Sequence, residues 1–254
     1  MEVLRAQLPA IFIALWWPFC RILAMFSASP ILGNIVPITP RVLLSLVLSV
    51  VMMPLAKPVT AIDPLSLHAF VATVDQVIIG CAIGLAFQLV MAVSDVLGFM
   101  ISSQMGLSMS VMNDPLNGTS SDVISALLSM MFTLLFFSID GHLVLAGVLG
   151  ASFQVWPVGG GLPAMTLNTL VNHVAWIFSA SLLLATPVIF SALVVQIGFG
   201  FLTRVAPALN LFSLGFSAVT LFGLLMLGYL VRFIPDQYVR MTNQVLDLLQ
   251  QGMR

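Results

Sequence analysis

Charge is what this sequence has least of. Its 254 residues carry 8 basic and 9 acidic side chains, 7% of the chain, where a soluble globular protein has about a quarter. A water-soluble domain covers itself with such groups, so the soluble, disordered and fibrous classes are excluded. Cysteine is nearly absent too. Cys20 and Cys81 sit in apolar runs and give neither a disulfide framework nor a metal-ligand spacing. There is no Gly-x-x-x-x-Gly-Lys-Ser/Thr phosphate loop, no Gly-x-Ser-x-Gly elbow (Gly106 to Ser110 ends in serine) and no His-Glu-x-x-His. The histidines His68, His142 and His173 lack ligand-like spacing. No catalytic residue, cofactor or metal is expected. A net charge of −1 gives no general attraction for nucleic acid.

What is present is hydrocarbon. Hydrophobic residues make up 60% of the chain and mean hydropathy is +1.14, the composition of a polytopic membrane protein. A spanning helix needs about 20 mostly apolar residues. Merging charge-free runs across single charges, and cutting at Gly/Pro clusters such as Pro157, Gly159–Gly161 and Pro163, predicts six long helices, at 8–29, 41–57, 69–101, 123–150, 170–200 and 210–233. A shorter helix is expected at 236–251, with Val239, Val245, Leu246 and Leu249 apart from Asp236, Arg240 and Asp247. The fold class is all-α, a polytopic helical bundle with some broken helices, read as a single domain over 1–254. The first span is expected to be retained, because Arg21 interrupts its apolar region and Pro30 would follow the small residues Ser27–Ser29. A count of basic residues puts both termini in the cytoplasm.

The tract 102–122 stands apart. It holds six serines, Thr119, two asparagines, two aspartates and two glycines. Such a segment inside a membrane protein is tolerated only where protein or a water-filled cavity surrounds it. Met105, Met109 and Met112 recur at spacings of four and three, one face of a helix if the stretch is helical. Thioethers there would make a deformable apolar seal, bounded by Asp114-Pro115 and Gly118. Charges in apolar segments need a reason. Arg21, Asp75, Asp95 and Asp140 are read as pairs that hold helices of an assembly together or as end residues reaching the headgroups, in preference to a proton or ion relay. Asp75 and Asp95 are twenty residues apart, about 30 Å along a helix, too far to relay protons directly. Asp140 beside His142 suggests a catalytic pair, but a helix start is the favoured reading of His142. Gly80 and Gly84 form a helix-contact face. Arg204, Pro207 and Asn210 mark a break in which proline ends a helix and asparagine caps the next.

Several separated motifs occur in order. Arg21 leads to Pro30-Ile31-Leu32-Gly33, Val36-Pro37 and Arg41; Gly98 precedes Gln104-Met105-Gly106-Leu107-Ser108 and Asp114-Pro115. Gly141-His142-Leu143, Ser152-Phe153, Pro157-Val158-Gly159 and then Arg204, Pro207, Asn210 and Phe212 follow. In this set the chain resembles the FliR family, the export-gate subunit of flagellar and virulence type III secretion, over nearly its full length. Relatives often carry a glutamate where this chain has Phe99, with Asp95 one turn earlier, and phenylalanines where it has Met109 and Met112. The resemblance implies a structural, non-enzymatic subunit of a conduit for unfolded export substrates in the bacterial inner membrane, at the flagellar basal body or the type III secretion apparatus. It implies FliP-like and FliQ-like subunits, an FlhB-like subunit, membrane lipid, and a core raised toward the periplasm, where the basic-residue count no longer reports topology. Met105, Met109, Met112, Asp114 and Pro115 become gate or plug residues, and Arg21, Asp75, Asp95, Arg204, Pro207 and Asn210 assembly contacts. The rival readings are a secondary transporter with a midplane site formed by Asp75, Asp95, Asp140 and Arg204, and an intramembrane enzyme using His142 and Asp140.

Overall fold

Apolar runs leave the backbone nothing but itself to bond to, and they fold as helices. The computed structural model describes residues 2–29, 33, 36–56, 66–107, 111–114, 119–160, 171, 173–205 and 211–252. Among these the elements are α1 (Glu2–Ala28), α2 (Ile38–Met52), α3 (Leu67–Gln104), β1 (Val111–Asp114), β2 (Thr119–Asp122), α4 (Val123–Ser138), α5 (Gly141–Val155), α6 (Val174–Val205), α7 (Leu211–Leu230) and α8 (Ile234–Gly252). The architecture is an all-α membrane bundle with broken helices, carrying one short antiparallel ribbon.

The chain packs as two units. Met1–Leu89, Asp140–His173 and Asn243–Arg254 form the first; Val90–Ile139 and Val174–Thr242 form the second. In the first, α1 lies directly on α3 at Gly80 and Gly84. A Cβ on Gly80 would overlap the Arg21 carbonyl oxygen and lie 3.0 Å from the Ala24 Cβ. One on Gly84 would come within 2.8 Å of the Ala28 Cβ. The small residues therefore set the approach of the two helices, and Ile22, Met25, Ile79 and Ile83 fill the space around them. Between α1 and α2, Arg41 donates to the carbonyls of Gly33 and Val36.

In the second unit α3 and α4 touch at Gly98, where a Cβ would overlap the Ser125 Cα. Leu97, Ile101, Leu128 and Phe132 are fully buried there. The Phe132 and Tyr238 rings meet edge to face at 5.2 Å. The Ser181 hydroxyl of α6 lies within hydrogen-bond distance of the Val93 carbonyl (3.1 Å) and of its own Ile177 carbonyl (2.7 Å).

Two expectations change. The span 123–150 is two helices, because Asp140 adopts the left-handed conformation (φ 55°) and interrupts the ladder before Gly141. His142 stands in the first turn of α5, as a helix-start residue. The buried face of α8 is Ile234, Tyr238, Met241, Val245, Leu248 and Leu249, while Val239 is exposed. The helix begins before Pro235, which the first turn tolerates, so the stripe is counted from Ile234. Among the described residues, α3 and Val174–Leu202 of α6 are by themselves long and apolar enough to cross a membrane, and up to four spans arise if α4 with α5 and α7 with α8 each count as one.

Gly80→Val places side-chain atoms against a backbone carbonyl that cannot rotate away. It should cost at least about 1–3 kcal/mol, seen as faster proteolysis in detergent. Gly147→Ala, which meets nothing within 4 Å, should leave the digestion rate unchanged.

Candidate functional site

The polar tract begins where α3 stops. Gly106 takes φ 74°, its N–H bonds to the Ser103 carbonyl at 3.3 Å, and the Leu107 N–H bonds to the Ser102 carbonyl at 2.9 Å. This is a Schellman ending, with glycine at the position a Cβ disfavours. Met105, the last residue before it, is fully buried. Its side chain occupies the space where a Cβ on Gly223 of α7 would lie, with Cγ, Sδ and Cε at 2.5, 2.9 and 3.1 Å from that point. The Thr220 hydroxyl lies 3.1 Å from the Met105 carbonyl and 2.9 Å from the Phe216 carbonyl, so one proton serves both acceptors. A cavity of about 490 Å³ adjoins, lined by Met105, Gly106, Gln196, Phe216 and Val219 among others.

The tract ends at Asp122, the N-cap of α4. Its carboxylate accepts from the Ser125 N–H (2.9 Å) and the Ser125 hydroxyl (2.7 Å). It also accepts from the hydroxyl of Ser102 on α3. One carboxylate thus joins the helix that precedes the tract to the helix that follows it. Burial raises its pKa, but the Ser102 and Ser125 hydroxyls and the Ser125 and Ile124 N–H groups lower it by more, and the net value falls below the ordinary carboxylate range. One turn from Gly98, Asp95 accepts from the Ser129 hydroxyl.

Between these anchors the chain pairs with itself. β1 and β2 are antiparallel, with Val111 opposite Asp122, Met112 opposite Ser121, Asn113 opposite Ser120 and Asp114 opposite Thr119. The conditional helical face of Met105, Met109 and Met112 is therefore not formed: Met105 is buried beneath α7, Met112 is in a strand, and Met109 lies outside the described residues. Asp114 is in β1, and Pro115 lies outside the described residues. A two-stranded ribbon is marginal alone, so its position depends on the two anchors.

In the first unit Arg21 is 0% exposed. Its Nε donates to the Gln76 Oε1 (2.8 Å), one terminal nitrogen to the Ser152 hydroxyl (3.0 Å) and the other to the Trp156 carbonyl (2.7 Å). The Phe153 ring lies 4.1 Å from the guanidinium carbon. Arg21 thus joins α1, α3 and α5 and closes the open carbonyl at the end of α5. Asp75 is buried near His68. Asp95 is exposed, as is Arg204 in the last turn of α6; Pro207 and Asn210 lie outside the described residues. Ser102, Asp122, Ser125, Thr220 and Gly223 were missed by sequence reasoning. Asp122-x-x-Ser125 before an apolar run is a capping pattern and marks that end of the site. Thr220 and Gly223 have no such local sign.

These features define an all-α membrane protein whose broken helices carry a polar ribbon pinned at both ends. The chain belongs to the bacterial export proteins, family 1, whose sequence pattern matches residues 12–245. It is 32% identical over 247 residues to the flagellar biosynthetic protein FliR of Pectobacterium carotovorum subsp. carotovorum, covering 92% of this chain and 90% of that protein. It is 30% identical over 236 residues to the FliR of Escherichia coli K12, with the same coverage. The surface presentation of antigens protein SpaR of Salmonella typhimurium is 29% identical over 175 residues, 68% of this chain and 64% of that protein.

Asp122→Ala removes the cap and leaves the buried Ser102 hydroxyl without this acceptor, at a cost of about 2 kcal/mol. Because the folded-state pKa lies below the unfolded value, the carboxylate's stabilisation is full above the unfolded pKa, near 4, and is lost as pH falls through the lowered value. The thermal midpoint of the wild type should fall across that acidic range. Asp122→Asn should lack this component.

Proposed function

We propose that this protein is a structural subunit of the flagellar or type III protein export gate in the bacterial inner membrane, forming part of the conduit for unfolded substrates. The observation that carries the reading is the match to flagellar FliR proteins along nine tenths of both chains. The ribbon between Leu107 and Asp122 supplies the gate segment, with Met109, Met112, Asp114 and Pro115 in its movable part and Met105 at its base. Large side chains exposed on the helices, among them Phe70, Leu183, Phe190, Phe201 and Val205, form the surface for FliP-like and FliQ-like subunits, an FlhB-like subunit and lipid, in a core raised toward the periplasm. Among the charged residues, Asp95 and Arg204 are exposed and suit partner contacts; Arg21 has its partners within the chain. A transporter site is disfavoured, since Asp75 and Asp95 stand about 30 Å apart along one helix.

The test is small-ion leak in cells carrying the complete gate. Deleting 108–113, or replacing Met109 and Met112 with glycine, should raise permeability severalfold while the complex still assembles. A deleted gate that assembles and stays as tight as wild type overturns the reading of this segment. Arg204→Glu should lower secretion with insertion unchanged; unchanged secretion would leave Arg204 a surface anchor only.

A further inference from the structure

We infer that Met105 and Gly106 form a latch through which α7 holds the ribbon in its resting position. The inference rests on the gate reading of 107–122 for its consequence, but its geometry is independent of that reading. The side chain of Met105 fills a socket that exists only because residue 223 has no Cβ. The Thr220 proton, shared between the Met105 and Phe216 carbonyls, ties the last turn of α3 to the same face of α7. Gly106 turns the chain away at φ 74°, and the Phe216 ring lies 2.8 Å from where its Cβ would stand. Phe216, Thr220 and Gly223 follow one another at spacings of four and three, a single stripe of α7.

Other contacts of the ribbon's ends are the backbone bonds that close α3 and, at the far end, the Asp122 carboxylate held by Ser102 and Ser125. The Met105 contact breaks by rotation about side-chain bonds. A thioether has three of these, and the cavity of about 490 Å³ beside Met105 and Phe216 gives both side chains space to turn that a close-packed core denies. Release of Met105 then detaches the end of α3, and with it the start of the ribbon, from α7, while Asp122 holds the other end. Met105 is a positioning residue: it acts on the gate segment without itself sealing the conduit.

Gly223→Ala tests this, because the atoms its Cβ meets belong to a side chain that can rotate, so Met105 is displaced and α7 stays. Thr220→Val is the second variant, keeping the shape and removing the shared proton. Both are made in the complete export complex, and two quantities are read: amide hydrogen exchange across 107–121 and ion leak in cells. Exchange across the ribbon should quicken about tenfold in Gly223→Ala, and by less in Thr220→Val. Faster exchange with raised leak supports the latch and the gate together. Faster exchange with unchanged leak supports the latch and overturns the gate reading. Unchanged exchange in both variants overturns the latch, whatever the leak does. If Gly223→Ala fails to assemble, Thr220→Val decides by the same criterion.

Discussion

Inside hydrocarbon a backbone N–H or C=O without a partner costs several kcal/mol, and a helix leaves such groups only at its ends. A chain built of many interrupted apolar helices therefore concentrates its difficulty at their termini. The few polar side chains it has are used there. Arg21 closes the carbonyl of Trp156 after α5, Arg41 closes those of Gly33 and Val36 between α1 and α2, and Asp122 caps the first turn of α4. Where no charge is available, Gly106 ends α3 by backbone geometry alone. Scarcity of charge and interruption of helices are thus two sides of one constraint.

That constraint explains which parts of the structure could be read in the sequence. The apolar runs located the helices, because hydrocarbon permits little else. The Gly80 and Gly84 contact was readable, since small residues at that spacing serve one purpose in a bundle. Asp140 was misjudged by merging across a single charge, when it bends the backbone into the left-handed region. The ribbon was not seen because, beyond Val111, Met112 and Thr119, its strands are serine, asparagine and aspartate, residues that ordinarily mark loops; pairing by backbone leaves no apolar alternation to detect. Partners of Arg21 stand 55, 131 and 135 residues away, and no local pattern points across such distances. For the same reason the socket at Gly223 was silent: a glycine in an apolar helix announces a missing side chain and says nothing of what fills the space.

The two units differ in how their polar groups are used. In the first, Arg21 is a fixed tie, sunk among Gln76, Ser152, Trp156 and Phe153 with no exposed atom. In the second, hydroxyls and one carboxylate hold a ribbon with few apolar resources of its own. One chain thus contains both rigid packing and a weakly self-stabilised segment.

α3 and α6 make a comparison that hydropathy cannot. Both are long and strongly apolar, yet 67% of the most apolar stretch of α3 is enclosed by its own chain against 17% for α6. The first is constrained by shape, since each side chain must fit fixed neighbours. The second is constrained from outside. If fluid acyl chains cover α6, it is free to drift among leucine, valine and phenylalanine; if protein covers it, its volumes are fixed by another gene. The pattern of substitution along α6 among related bacteria is therefore a record of what has stood against it.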